Sequence, residues 1–200
     1  MFEIPAPELA PALLGLWLIR ATRDGLAAGV IVETEAYGGV DDRASHARAG
    51  RTKRTEPMFG PPGHAYVYLV YGLHSCLNVV SGMDGEAGAV LIRAVAPTIG
   101  LALMSARRHR PADADDRLAA GPARLCQALA VDRSLDGHDL TAGRELWLAD
   151  PEPATRHALL ARGVARGPRI GVAYAGPDWA ARPWRFGLRD HPALSAPFRP

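Results

Sequence analysis

Two apolar runs, Leu16 to Ala21 and Ala27 to Tyr37, flank Arg23-Asp24-Gly25. Asp-Gly between apolar runs is a strong hairpin signal, because these residues tolerate the positive φ of tight turns. The spacing predicts two antiparallel strands near the N-terminus, so the rest of the chain must extend or cover a sheet. Side chains alternate faces along a strand. In the second run Val30, Val32, Thr34 and Ala36 share one face, while Ile31, Glu33, Glu35 and Tyr37 share the other. Two carboxylates and a phenol along one surface are odd for a simple core strand.

Downstream, Gly38 to Gly63 is polar, rich in Gly and Pro, and carries Arg43, Arg48, Arg51, Lys53 and Arg54. It is longer than an ordinary connection, and such loops in compact domains are often functional. Ala65 to Tyr71 returns as a strand with Tyr66, Tyr68 and Tyr71. Period two puts Tyr66 and Tyr68 on one side and Tyr71 on the other. Ser75 to Ser81 and Ala89 to Val95 read as further strands about a turn at Asp84-Gly85. Thr98 could cap a helix running to about His109 and ended by Pro111. Gly121-Pro122 opens a second helix through Leu125 and Leu129, with proline in its favoured first position. Leu146 to Ala149, Ile170 to Tyr174 and Trp184 to Leu188 supply short final strands. With 200 residues and no internal repeat, the expectation is one domain over residues 1–200. Its class is α+β: a mixed, mainly antiparallel β-sheet flanked by helices.

Composition narrows the possible environments. The longest compact apolar run, Leu13 to Ile19, is far too short for a membrane span, which needs about 20 residues. No basic region precedes it, so a secretory signal is not expected. Cys76 and Cys126 fit no zinc spacing and read as buried thiols in a reducing compartment. A cytoplasmic protein is expected, associated with the nucleoid if it binds DNA. The net charge of +2 permits a nucleic-acid partner without demanding one. No Walker loop or dinucleotide fingerprint occurs, and neither a cofactor nor a metal is expected.

Singly, each candidate has an ordinary reading: solvated carboxylates, packed aromatics, a solvated basic loop. His74-Ser75-Cys76 has no further metal ligand at a recognisable spacing, and Ser45-His46 are adjacent side chains that point apart. In combination the picture changes. Val32-Glu33-Thr34-Glu35-Ala36-Tyr37, His46, Met58-Phe59-Gly60-Pro61-Pro62-Gly63, Tyr66-Val67-Tyr68-Leu69-Val70-Tyr71-Gly72 and Cys76-Leu77-Asn78 follow in order. So do Leu91-Ile92-Arg93-Ala94, Gly121 to Leu129, Arg169-Ile170-Gly171-Val172 and Arg182-Pro183-Trp184-Arg185-Phe186. This series resembles the 3-methyladenine (alkyladenine) DNA glycosylases over essentially the whole chain.

The resemblance implies a monofunctional enzyme that flips alkylated or deaminated purines out of double-stranded DNA and excises them hydrolytically, in base excision repair. By the same resemblance Glu35 is the general base for a water, held by Arg93 and the main-chain carbonyl of Ile170. Tyr37, His46 and Tyr68 correspond to the aromatic base-binding pocket, and Asn78 to a residue that crowds the amino group of guanine. Tyr71 corresponds to a wedge inserted into the DNA. Arg51, Thr52 and Arg54 correspond to DNA-binding positions. There the family commonly reads Arg-Thr-Pro-Arg-Asn, and this chain has Arg51-Thr52-Lys53-Arg54-Thr55. The substitution Glu33→Gln is expected to be much milder than Glu35→Gln.

Two rivals remain. A non-catalytic nucleic-acid-binding module could use the same loop and aromatics, but it has no need of Glu35 or Arg93 among them. A metal-dependent hydrolase would lose activity on chelation. The expected partner is damaged duplex DNA, the expected state a monomer, with no membrane. Glycosylases that also nick DNA use an amine to form a Schiff base, and Lys53 is the only lysine. Water is therefore the expected nucleophile.

Overall fold

The computed structural model describes residues 1–111 and 116–198. Strand β1 (Trp17–Thr22) and β2 (Gly25–Tyr37) form the expected hairpin, with Thr22 opposite Gly25 across the Arg23-Asp24 turn. β3 (Ala65–Val70), β4 (His74–Val80), β5 (Ala89–Ile99) and β6 (Leu146–Ala149) complete an antiparallel path ordered β3-β4-β5-β2-β1-β6. β7 (Val164–Gly167) pairs β8 (Arg185–Leu188), which docks on Glu33 to Glu35 of β2. β2 is thus the spine, bound by β1 along its first half, by β8 near its end and by β5 from Ala28 onward. Every strand pairing among the described residues is antiparallel, and the α+β class holds.

The β2–β5 ladder positions the site. Its register shifts between Ile31 and Glu33 and again between Glu33 and Thr34. Val32 is the unpaired residue on β2 and Arg93 the unpaired residue on β5. A bulge re-aims the side chain it frees, and here the guanidinium of Arg93 meets both Glu33 and Glu35.

On the opposite face, Val32 and Ala36 enter the core and Thr34 donates its hydroxyl to the carbonyl of Ala10 (2.8 Å). Ala10 belongs to helix α1 (Ala6–Ala12), which sequence patterning did not reveal. Pro5, Pro7 and Pro11 disguise it, yet Pro7 sits in the first turn, where a proline is tolerated, and Pro11 at the end. Around it Leu9, Leu13 and Leu14 are fully buried, each contributing about 1.5–3 kcal/mol.

Helix α2 (Leu101–Arg108) starts later than expected, because Thr98 still belongs to β5 and Gly100 is the cap. A Cβ at Gly100 would collide with the carbonyl of Leu26, so only glycine lets strand and hairpin approach there. Helix α3 (Pro122–Ala128) begins at the expected proline and buries Leu125, Cys126 and Ala128. Both cysteines are free and buried. Helices α4 (Pro153–Leu160) and α5 (Pro177–Ala180) were not foreseen.

One expected strand is corrected. Ile170 to Tyr174 is a loop leading into a 3-10 turn at Ala173–Ala175, and the strand lies upstream as β7. Gly171 takes φ +78, and the amide of Ile170 bonds a side chain instead of a ladder partner. No helix among the described residues is long and apolar enough to cross a membrane.

Candidate active site

A cavity of about 600 Å³ opens beside β2, lined among others by Tyr37, His46, Tyr68, Asn78, Arg93 and Ile170. Glu35 lies immediately behind three of these residues and is fully buried. Its Oε1 accepts from the amide of Ile170 (2.7 Å) and faces Nη1 of Arg93 (3.1 Å). Its Oε2 accepts the phenol of Tyr37 (2.8 Å), two residues along the same face, as period two requires. Burial, and then the carboxylate of Glu35, push the Tyr37 phenol well above its ordinary range, so it remains a donor. For Arg93, burial opposes the charge, but Glu35 and Glu33 outweigh it and its pKa rises.

Ile170 is brought to Glu35 by a remote ion pair. Arg169 donates to both oxygens of Asp42 (2.6 and 3.0 Å), with both side chains essentially inaccessible. Arg169 also bonds the carbonyl of Ala36 (2.9 Å) and sits over the rings of Tyr37 and Trp184. Asp42 in turn accepts the amides of Gly38 and Ala44 (both 2.9 Å), folding the start of the long loop onto the end of β2. Burial makes each half of the ion pair costly to lose: deleting one partner of such a pair costs about 3–5 kcal/mol. Nothing in the local sequence marks Asp42 as the partner of a residue so far along the chain.

The other side of the cavity is aromatic. His46 and Tyr68 meet edge to face with ring centroids 4.5 Å apart, and Tyr66 stands 5.4 Å from Tyr68. His46 starts a 3-10 turn (His46–Ala49) capped by the Ser45 hydroxyl, so the loop itself aims the imidazole. Nδ1 of His46 lies 2.9 Å from the Tyr66 hydroxyl, and Nε2 lies 3.3 Å from Nη2 of Arg54. A guanidinium can only donate, which makes Nε2 the acceptor and puts the proton on Nδ1. Burial and then Arg54 lower the His46 pKa to about 4, in keeping with a neutral ring. Burial pushes Tyr66 up to about 12 and Tyr68 higher still. Asn78, opposite Tyr66 in the β3–β4 ladder, is buried and donates to the Tyr66 carbonyl (3.0 Å).

Tyr71 stands at the cavity rim, 92% exposed, in the β3–β4 turn rather than on the strand. Tyr71 and Gly72 both take positive φ (52 and 69), and the amide of Leu73 closes the turn onto Val70. A tyrosine held in the left-handed region is strained by roughly 1–3 kcal/mol. Beside it Leu73 is 78% exposed, a second apolar tip that no sequence motif marks.

The basic loop divides. Arg54 lines the cavity with its guanidinium near the Tyr68 ring. Arg51 instead pairs with Glu56 (3.0 Å) and lies over Phe59. Thr52 bonds Thr55, whose hydroxyl also reaches the carbonyl of Gly50, so these two threonines close the loop. Glu33 does not line the cavity. It is fully buried and accepts from Arg93, Arg185 and Ser195, which removes the basis for expecting its substitution to be mild. His74 is exposed while Cys76 is buried, so these neighbours share no site.

A buried carboxylate behind an aromatic cavity, with a strained tyrosine at its rim, defines a site able to receive a flat ring. Residues 1–192 match the methylpurine-DNA glycosylase (MPG) family. A protein of Anaeromyxobacter dehalogenans strain 2CP-C is 52% identical over 94% of this chain and 81% of its own length. One of Methanocella arvoryzae is 46% identical over 97% of this chain and 92% of its own. One of Streptomyces avermitilis is 45% identical, covering 99% and 89%. Each bears the name of a 3-methyladenine DNA glycosylase. The chain belongs to the methylpurine-DNA glycosylase family, and so to the hydrolases of N-glycosyl bonds that act on DNA.

Proposed function

We propose that this protein flips 3-methyladenine-type lesions, alkylated or deaminated purines, out of duplex DNA and hydrolyses their N-glycosyl bond without cutting the strand. The observation that carries this reading is the buried carboxylate of Glu35, hydrogen-bonded at the back of a cavity whose far side is His46 and Tyr68. A carboxylate has about four acceptor positions. Oε1 of Glu35 uses two of its own, on Ile170 and Arg93, whereas Oε2 uses one, on Tyr37. The position left on Oε2 is where Glu35 takes the proton of the attacking water.

Arg93 makes one polar contact through each of Nε, Nη1 and Nη2. Since a guanidinium has five N–H groups, two remain for that water or for the sugar. The Ile170 carbonyl is its second holder. A positioned base contributes about 10²–10⁴-fold, and the carboxylate also stabilises positive charge developing on the sugar.

Extruding a nucleotide costs a few kcal/mol, least for damaged bases, and each aromatic stack returns about 1–3 kcal/mol. Tyr37, His46 and Tyr68 supply the stacks, and Tyr71 fills the gap left in the duplex. Asn78, buried beside the pocket, crowds a guanine amino group. Arg54, with Arg51 and Thr52, serves the backbone. The protein acts as a monomer in the cytoplasm, on nucleoid DNA. The test is incubation with alkylated duplex DNA in the presence of a chelator. Free purine bases are expected from the wild type and not from Glu35→Gln; DNA bound without base release would favour a binding module, and loss on chelation a metal-dependent hydrolase.

A further inference from the structure

The guanidinium of Arg93 has a third partner besides Glu33 and Glu35. Its Nη2 donates to the hydroxyl of Ser195 (3.1 Å). That hydroxyl donates its own proton to Oε1 of Glu33 (2.8 Å), and the Ser195 amide donates to Oε2 (2.6 Å). Ser195 lies beyond residue 192, where the family match ends.

The segment carrying Ser195 is fastened along its length. Ala193 is fully buried and Leu194 nearly so. Arg185, itself bound to Glu33 through Nε (2.7 Å), bonds the carbonyls of Ala196 and Pro197 and sits 4.0 Å from the Phe198 ring centroid. Any Cβ at Gly187 would lie within 2.8 Å of Leu194 and 2.7 Å of Phe198, so β8 is cut back to let this segment lie against it. A hydrogen-bonded chain therefore runs from residues 193–198 through Ser195 and Glu33 to Arg93 and so to Glu35.

We propose that Ser195 is a positioning residue for base excision, its hydroxyl fixing the plane of the Arg93 guanidinium so that Nη1 stays on Glu35; the proposal rests on the roles assigned above to Glu35 and Arg93. Three directional contacts, one on each guanidinium nitrogen, leave that plane no freedom to rotate. Without the hydroxyl, Glu33 keeps the Ser195 amide and both arginine contacts, so the fold persists while Nη2 loses its acceptor. A buried bond to a charged group is worth a decade or more in an equilibrium, and displacement of a catalytic group by about 1 Å costs as much as 10²-fold in rate.

The experiment is single-turnover excision of a defined lesion in duplex DNA, well below the unfolding midpoint, with wild type, Ser195→Ala, Ser195→Thr and Glu35→Gln. Ser195→Ala is expected to slow the saturated rate at least about 10-fold, leave the half-saturating concentration nearly unchanged, and keep its affinity for abasic-site DNA. Ser195→Thr, which retains the hydroxyl, should recover most of the rate. A wild-type saturated rate for Ser195→Ala overturns the proposal, whether or not its unfolding midpoint drops, because Ser195 is then only packing. So does a loss that Ser195→Thr fails to recover while remaining folded. The Glu35→Gln arm separates the two levels: if it excises normally, the reading of the base has failed. If it is inactive while Ser195→Ala is unimpaired, only the role of Ser195 has failed.

Discussion

Glu33 and Glu35 are two residues apart on one face of β2 and equally buried, but their partners respond differently to an amide. At Glu35, a glutamine oxygen can accept from Ile170 and Arg93, while its NH₂ donates to the Tyr37 hydroxyl, which can reverse its role. At Glu33, one oxygen receives Arg93, Arg185 and the Ser195 hydroxyl, and the other receives the Ser195 amide. An NH₂ there must oppose a donor, buried Arg185 loses its counter-charge, and Arg93 loses one of its two. Glu35→Gln should therefore leave the urea midpoint near that of wild type and lower single-turnover excision by roughly 10²-fold or more. Glu33→Gln should cost roughly 3–5 kcal/mol of stability, and equal urea midpoints for the two variants would refute this division. His46 supplies a second expectation. Its pKa is about 4 in the fold, against an ordinary value of 6.5, so the unfolded chain takes up this proton first as pH falls. Its contribution is fully present above about pH 6.5 and is lost as pH falls towards about 4. Between those values the stability of His46→Gln should fall less steeply with acid than that of wild type, and parallel curves would remove the effect.

The β3–β4 turn carries its tyrosine against local preference. Asparagine tolerates the left-handed region far better than tyrosine does. Tyr71→Asn should thus match or exceed the wild-type unfolding midpoint while binding abasic-site duplex about 10-fold or more weakly, as loss of a stack requires. Because a wedge releases no counterions, the slope of log affinity against log salt, expected at roughly −3 to −5 for a few phosphate contacts, should not move. Undiminished binding by the variant would deprive the exposed ring of its role. At this same scale the sequence was legible where pattern and turn chemistry agreed. The Asp-Gly hairpin and the strict alternation along β2 put Glu35 and Tyr37 on one face, and Gly121-Pro122 marked α3. Alternation misled at Tyr71, which belongs to the turn, and at Ile170 to Tyr174, where Glu35 claims the amide a strand would need. It was silent on how Arg93 reaches Glu33 and Glu35, because paired register shifts leave no local trace. The resemblance to known glycosylases named Glu35, Arg93 and Ile170 together. The Asp42–Arg169 and Glu33–Ser195 links that hold them span most of the chain and have no periodic signature.

Across the whole molecule the supply of amines limits the chemistry. A lyase needs an amine at C1′ of the sugar to form a Schiff base. Lys53, the only lysine, is exposed in the basic loop and does not line the cavity. It is flanked by Thr52, which is tied to Thr55, and by Arg54, which turns inward to His46. The N-terminal amine is the alternative. Met1 is 58% exposed, Phe2 packs against Gly63, and the carbonyls of Phe2 and Ile4 both accept the amide of Gly82. These contacts hold the start of the chain at the 81–82 turn, and neither Met1 nor Phe2 lines the cavity. Among the described residues neither amine lines the cavity, so on the proposed reading water is the expected nucleophile and an intact abasic strand the expected product. Borohydride added during turnover should therefore trap no protein–DNA adduct. Strands should break only after alkali, and Lys53→Ala should release base at the wild-type rate. An adduct that survives in Lys53→Ala would indict the N-terminus, and one that vanishes would indict Lys53. Either adduct, or lesion-dependent nicking without alkali, would replace hydrolysis by a lyase mechanism.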